Sequence, residues 1–327
     1  MKIIKYESFK EGEDMSNWIG VDIGGTKILG ALFDDKGNKI KTEKKSSKSS
    51  KGKEKVIDQL KKVLDTLLED SKDVKGIGIG VPGVIKDGKI AFTPNMPLNE
   101  FNLIDFVKEE YKIDCFVEND ANASMYGEWK FGAAKGAKNA VGYFVGTGIG
   151  GGLILNNSLY RGSYNFAAEI GHMNVYPQGP LCGCNLRGCL ESLSSKVAIQ
   201  REITRKRERG EKTVIKKSDL KNIVKSSTLK SAYDEGDKVV RSILNDVAFY
   251  LGINAGSIIN LLNPDVILYG GGIMEALGEE LLPIIIETAK QYSIPHIFDT
   301  CEFKLSKLKD DACLYGAFSL IQEKVGA

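Results

Sequence analysis

The sequence lacks the features that mark membrane, secreted or nucleic-acid-binding proteins. Its 45 basic and 43 acidic residues leave a formal charge of +2, which gives no electrostatic attraction to nucleic acid or to a membrane surface. No uninterrupted apolar run approaches the ~20 residues that a spanning helix needs. The N-terminus has neither a long apolar segment nor a small-residue cleavage site. We therefore expect a cytoplasmic protein without nucleic-acid or membrane partners.

Cysteine and histidine are scarce, with six and two residues, yet four of these eight lie within one short segment. His172, Cys182, Cys184 and Cys189 provide three thiols and an imidazole, a complete tetrahedral set for a structural Zn²⁺ ion. The alternative is that the cysteines are small core residues. The surrounding glycine, asparagine and proline are typical of a loop rather than a core strand, so we predict a zinc site.

Glu169 and Glu191 flank this segment. A metal that ties the loop together would bring the two carboxylates towards one place, where they could accept hydrogen bonds from sugar hydroxyls. Taken alone, both glutamates could equally be ordinary surface residues.

The 327 residues, 42% of them hydrophobic, are enough for two α/β domains after a polar N-terminal tail at 1–15. Met15 could be the true start of the protein. The predicted strands are 18–23, 28–33, 74–81, 115–117, 140–145, 153–155, 265–269 and 303–305. The predicted helices are 55–69, 103–111, 120–129, 192–207, 237–262 and 310–320.

Two segments of the chain repeat one plan of strand, glycine turn, strand and second turn. The first turn is Gly24-Gly25-Thr26-Lys27, and the second is a glycine run at 146–152 that begins Gly146-Thr147-Gly148. Glycines that adopt positive φ would leave amides uncovered for phosphate, and Asp22 could hold a hydrated Mg²⁺. A plain type I′ hairpin is the alternative for each turn. The repetition predicts two related domains that face a nucleotide between them.

Other candidates follow strands. Gly83 would let a ligand approach the backbone, and Asn95 could bond a polar ligand. Gly271 and Gly272 would permit close packing of a base or ribose. Asp120 follows a strand, where ligand-handling residues collect, but it could also serve simply as a helix cap.

These segments together resemble the ROK family of repressors and sugar kinases, from about residue 18 to the C-terminus. The motifs are D-I-G-G-T-K, V-E-N-D-A-N, G-T-G-I-G-G-G, E-I-G-H, C-G-C-N-L-R-G-C-L-E and L-N-P-D-V-I-L-Y-G-G-G. Within the family the chain is most similar to ATP-dependent glucokinases. It departs from the usual cysteine motif at Asn185, which replaces a glycine. Asparagine tolerates left-handed geometry, so the metal site should survive.

The resemblance implies an actin-like (ribonuclease H-like) two-domain α/β fold with an interdomain cleft. We expect a small domain of 16–119 plus 304–327 and a large domain of 120–303 that carries the zinc loop. The cofactors would be ATP, Mg²⁺ and structural Zn²⁺, and the protein a homodimer or homotetramer. The resemblance makes Asp120 the base for the sugar 6-hydroxyl. It adds sugar contacts from Gly83, Asn119, Glu169, His172 and Glu191.

Three functions fit this pattern. The first is a glucokinase with ATP, or polyphosphate, as donor. The second is a kinase for another hexose such as N-acetylmannosamine, mannose or fructose. The third is a sugar-responsive DNA-binding regulator, which we disfavour because only ~20 residues precede Asp22, too few for a three-helix DNA-binding module.

Overall fold

The computed structural model describes residues 16–69, 71, 73–86, 88–93 and 96–326. The predictions for Asn95 and for the tail at 1–15 fall outside the described residues.

Two five-stranded sheets and one three-stranded sheet form the framework of the described residues. The strands in chain order are β1 Asn17–Ile23, β2 Lys27–Asp34, β3 Lys39–Ser46, β4 Val74–Val81, β5 Val84–Lys86, β6 Lys89–Phe92, β7 Phe101–Asn102, β8 Asp114–Asn119, β9 Ala140–Val145, β10 Ile149–Leu155, β11 Ser158–Leu159, β12 Val266–Gly270 and β13 Glu302–Leu305.

The two large sheets have the same topology. Their orders are β3-β2-β1-β4-β8 and β11-β10-β9-β12-β13, and each combines two antiparallel pairings with two parallel ones in the same sequence. The predicted internal repetition is therefore confirmed at the level of whole sheets. Ligand-handling residues collect where parallel strands end, and the candidate segments directly follow β1, β4, β8, β9 and β12.

Helices cover the sheets. They are α1 Lys53–Leu68, α2 Leu103–Tyr111, α3 Asp120–Phe131, α4 Leu190–Ser194, α5 Lys196–Glu208, α6 Ser226–Asp234, α7 Lys238–Leu262, α8 Gly272–Gln291, α9 Pro295–Phe298 and α10 Ala312–Gly326. Short 3₁₀ turns occupy Ser49–Lys51, Ile170–His172, Lys217–Leu220 and Lys309–Asp311.

The single helix predicted at 192–207 is wrong, because the structure has two helices there. Ser195 is extended, with φ −79° and ψ 167°, and its hydroxyl accepts a hydrogen bond from the Ala198 N–H at 3.2 Å. Serine competes for backbone hydrogen bonds in this way and favours caps over helix interiors. The chain therefore changes direction between α4 and α5.

The glycine turn predicted at 146–152 is also shorter than expected, because β10 begins at Ile149. Gly151 and Gly152 lie inside the strand, where neighbouring atoms leave no room for a side chain. A β-carbon on Gly152 would lie 2.4 Å from Met125 Cβ, and one on Gly151 would lie 2.4 Å from Ala168 O. These glycines therefore serve packing rather than a turn.

Helix α3 lies between the two halves of the molecule. On one side it packs against α10, which also covers β1 and β4 of the first sheet, and on the other side it packs against β10 of the second sheet. A β-carbon on Gly316 of α10 would lie 1.7 Å from Ala123 O of α3. Glycine thus allows α3 and α10 to approach more closely than any side chain would permit.

One helix of the described residues, α7, is long and apolar enough to cross a membrane by length and composition alone. Inside the structure, 61% of its most apolar window is buried. It packs against α8 and α4, and its Ile243, Leu244 and Leu251 side chains belong to the core of the second half. This is the pattern of a core helix in a globular protein.

Gly316→Ala should destabilise the protein by about 1–3 kcal/mol, because the new methyl group overpacks the contact between α10 and α3. Urea unfolding monitored by circular dichroism measures the change. Gly326→Ala is a matched control in the same helix, since a β-carbon there meets nothing within 4 Å. It should be neutral or slightly stabilising. Equal midpoints for Gly316→Ala and wild type would contradict this account of the packing.

Candidate active site

Asp120 is the first residue of α3, at the carboxyl end of β8. The cap of this helix is Asn119, whose side-chain oxygen accepts from the N–H groups of Ala121 at 2.9 Å and Asn122 at 3.1 Å. Asp120 accepts only the Ala121 N–H, through Oδ1 at 2.9 Å. None of the described residues donates to its Oδ2. The capping role therefore belongs to Asn119, and one oxygen of Asp120 remains available to a ligand.

Four predicted sugar-site residues line one small cavity beside this carboxylate: Gly83, Asn119, Asp120 and Glu169. The Asn119 side-chain amide donates to Gly83 O at 3.0 Å, which fixes the turn after β4. Gly83 has φ +112°, and a β-carbon there would lie 2.1 Å from Phe92 O. Only glycine fits this position, because the backbone of Phe92 packs against it; the approach of a ligand to Gly83 stays a prediction.

The cavity also has a polar lining residue in a loop that was not predicted from the sequence. Asn165 borders the cavity from the loop before Glu169, and its backbone is left-handed with φ +62°. In the loop leading to Asn165, Arg161 donates to the buried Glu118 carboxylate at 2.6 Å. The Asn156-Asn157 turn gives a recognisable signal in the sequence, but Asn165 lies in an irregular loop whose path the sequence does not reveal.

The carboxylates of Asp22 and Asp120 interact electrostatically. Burial and the negative charge of Asp120 together raise the pKa of Asp22 to about 7, although Lys27 opposes the shift. Burial likewise raises the pKa of Asp120, and its bond from the Ala121 N–H partly offsets this. A concentration of negative charge in a poorly solvated cleft suits a cation or a proton-accepting role.

The two glycine turns are not type I′ hairpins. In Gly24, Gly25, Gly146 and Gly148 the backbone avoids positive φ, which a type I′ turn requires. The first glycine of each turn closes it, since Gly24 N–H donates to Lys27 O and Gly146 N–H donates to Gly148 O, both at 2.8 Å. The expectation of positive φ was therefore wrong.

The turns nevertheless leave amides uncovered. The N–H groups of Gly25, Thr26, Thr147 and Gly148 donate to none of the described residues. Successive free amides at the ends of strands form an anion-binding concavity. Each sheet thus contributes one pair of such amides.

The third glycine segment lies between β12 and α8. Gly271 has φ +82°, and a β-carbon on it would lie 2.7 Å from Val145 N, so it packs directly against the end of β9. It also caps α8 without a side-chain hydrogen bond. The N-terminus of α8 therefore lies beside the second glycine turn, which follows β9.

The predicted metal ligands converge. The ligand atoms of His172, Cys182, Cys184 and Cys189 all lie within 4.8 Å of one another. Cys184 Sγ and Cys189 Sγ are 3.7 Å apart, and Cys182 Sγ lies 3.7 Å from His172 Nδ1. Ligands about 2.3 Å from a tetrahedral centre are separated by about 3.8 Å. The cysteines are unpaired thiols rather than disulfides, and Asn185 has the left-handed φ of +67° that was expected of it. The set could hold a metal ion.

Both flanking glutamates adjoin this cluster. Glu169 Oε2 lies 3.9 Å from His172 Nε2, and Cys182 Sγ lies 3.8 Å from Glu191 Oε1. The other oxygen of Glu191 accepts the Ile149 N–H at 2.8 Å, just past the second glycine turn. A β-carbon on Gly148 would lie 2.3 Å from that oxygen. The cysteine loop and the glycine turn are therefore joined through Glu191.

Two matching five-stranded sheets on either side of a cleft define the actin-like two-domain fold. The chain belongs to the ROK family, whose family model matches residues 18–324.

Three relatives illustrate the range of the family. A glucokinase of Halalkalibacterium halodurans is 34% identical over 94% of this chain and 95% of its own length. A xylose repressor of Bacillus spizizenii is 34% identical over 93% of this chain and 77% of its own length. A ROK family glucokinase from Streptomyces griseus, solved in complex with glucose and AMPPNP, has a TM-score of 0.82 at 30% identity and covers 94% of this chain and 99% of that one.

Cys184→Ser should remove bound metal, because it deletes one of four converging ligands. We expect about one zinc ion per wild-type chain by elemental analysis and a marked loss in the variant. Cys115→Ser is the matched control, since Cys115 is a buried thiol in β8 outside the cluster. Unchanged metal content in Cys184→Ser would exclude this ligand set.

Proposed function

We propose that this chain is an ATP-dependent hexose kinase that phosphorylates the 6-hydroxyl of glucose. The observation that carries the proposal is the Asp120 carboxylate, which has a free oxygen in a cavity shared with Gly83, Asn119 and Glu169. The glucokinases among its relatives, including one that binds glucose and AMPPNP, support this substrate and a nucleotide donor. We further propose a cytoplasmic homodimer or homotetramer.

In this proposal Asp120 accepts the proton of the attacking hydroxyl as the oxygen approaches the γ-phosphorus. A buried carboxylate with a raised pKa is a stronger base than one in water, and its free oxygen is in reach of a ligand in the cavity. Asn119, Glu169, His172 and Glu191 would orient the sugar so that one hydroxyl faces Asp120. Positioning of this kind supplies much of the catalysis in phosphoryl transfer.

The nucleotide would lie across the cleft. Free amides at Gly25, Thr26, Thr147 and Gly148 would bind phosphate oxygens, with Lys27 nearby as a positive charge. Gly271 and Gly272 would pack against the base or ribose. Asp22 suits a hydrated Mg²⁺, since its environment is rich in carboxylate and short of cations. Magnesium, when bound, would neutralise charge on the phosphates.

The metal of the cysteine loop would be zinc with a structural role. Three thiolates and an imidazole fill a tetrahedral shell and leave no position for a substrate. In this proposal zinc holds Glu169 and Glu191 in place through their contacts with His172 and Cys182.

The second candidate is a sugar-binding regulator, and the xylose repressor at 34% identity is the observation that favours it. The two functions differ in one measurable property, since a regulator would bind sugar without turning over ATP. Asp120, whose carboxylate no cap or ion pair occupies, favours the kinase.

Asp120→Asn should fold and bind metal as the wild type does but lower kcat by about 10²–10⁴-fold, because the amide cannot accept the hydroxyl proton. Asn119 remains as the helix cap, so stability should change little. Coupled ADP release measures turnover, and circular dichroism and metal content check the fold. Turnover near that of wild type would remove Asp120 as the base.

A panel of glucose, mannose, fructose, N-acetylmannosamine and xylose in the same assay should give the highest kcat/KM with glucose. ATP and polyphosphate should be compared as donors by the amount of sugar phosphate formed, because polyphosphate yields no ADP, and we expect ATP to be preferred. Sugar binding by calorimetry without turnover of any sugar would favour the regulator instead.

A further inference from the structure

We propose that Lys196 and Ser226 form an additional phosphate-binding subsite for the nucleotide, which the glycine motifs do not include. The inference rests on the proposed function and deepens it. Lys196 begins α5, immediately after the break at Ser195, and Ser226 begins α6.

Lys196 connects two of the glycine segments. Its backbone N–H donates to Gly146 O at 3.0 Å, which ties it to the second glycine turn. Its side chain extends to the start of α8, where a β-carbon on Gly272 would lie 3.0 Å from Lys196 Nζ. The same point is 3.3 Å from Ser226 Oγ. An ammonium and a hydroxyl therefore both lie near the N-terminus of α8, whose cap Gly271 has no side chain to bond the first amides.

Neither group has a partner among the described residues. Lys196 is half-buried, yet no described carboxylate lies within 4.0 Å of its ammonium. Ser226 Oγ is shielded from solvent and makes no hydrogen bond with a described residue. Desolvated polar groups without partners are costly, and a charged one most of all. Their convergence on one point indicates a ligand.

The charged groups that act on Lys196 favour an ammonium at this point. Burial lowers the pKa of Lys196, whereas Glu275 and Asp310 act on it from a distance and favour its charged form. Lys27 and Lys309 in turn lower the pKa of Glu275, although burial raises it.

Lys196 Nζ lies beside Gly272 at the N-terminus of α8, where the helix dipole and free amides also favour an anion. The proposed function places Gly271 and Gly272 against the base or ribose, and Asp120 beside the phosphoryl group that is transferred. Lys196 should therefore bind a phosphate that ATP and ADP share, not the one that is transferred.

The test is calorimetric titration of the full chain, with its metal bound, with MgATP, MgADP and adenosine. Lys196→Met should weaken binding of MgATP and MgADP alike by about 10- to 100-fold, the effect of losing one hydrogen bond to a charged group. Adenosine should bind both proteins equally. Lys196→Arg should retain part of the nucleotide affinity, and Ser226→Ala should lose less affinity than Lys196→Met. The control variant Lys212→Met, at an exposed position, should bind both nucleotides as the wild type does.

Undiminished MgATP and MgADP affinity in Lys196→Met would overturn this subsite while leaving the kinase proposal intact. An equal loss for adenosine would also overturn it, since Lys196 would then act on the base or ribose. A wild-type chain that binds neither nucleotide would overturn the kinase proposal and this subsite together. Thermal unfolding of both Lys196 variants separates a loss of fold from a loss of binding.

Discussion

The position of helix α3 depends on contacts that no side chain larger than hydrogen would allow. Gly316 brings α10 against the backbone of Ala123, and Gly152 brings β10 against Met125. These two contacts lie on opposite sides of the helix whose first residue is Asp120. The carboxylate at the centre of the proposed chemistry is therefore located by both halves of the molecule, and a rotation of either half would move it.

Glu191 makes the second connection across the site. One oxygen faces Cys182 in the metal cluster, and the other accepts the amide of Ile149 beside the second glycine turn. A residue that contacts both regions restrains their relative position. If the proposed function holds, Glu191 would link the sugar site to the phosphate site, which suits a reaction whose rate depends on alignment of two substrates.

Much of this arrangement follows from the sequence because the signals are local. The Cys/His segment predicts its own convergence, and the two strand–glycine–strand segments predict the repeated sheets. Asp120 was predicted at the correct end of β8. The break at Ser195 was missed because a serine can lie within a helix as well as cap one. The strand role of Gly151 and Gly152 was missed because it depends on packing against Ala168 and Met125. Tertiary contacts of this kind leave no periodic trace.

The surroundings of Lys196 could not be predicted from the sequence either. Lys196 lies in a helix rich in basic residues, and such a helix is ordinarily interpreted as a solvated surface. Only the three-dimensional structure brings its ammonium beside Gly272, 76 positions further along the chain. Likewise, the capping role could be assigned to Asn119 rather than Asp120 only from hydrogen-bond geometry, since both residue types are good caps.

The placement of α10 has a consequence for how the protein is made. This helix is synthesised after every other described element, yet it covers β1 and β4, which precede it by more than 200 residues. At ~5–20 residues per second, synthesis leaves the apolar surface of the first sheet uncovered for on the order of tens of seconds. The second sheet, whose strands and core helices are contiguous in the chain, can be complete before then. The early half of the nascent polypeptide is therefore where we expect dependence on chaperones during translation.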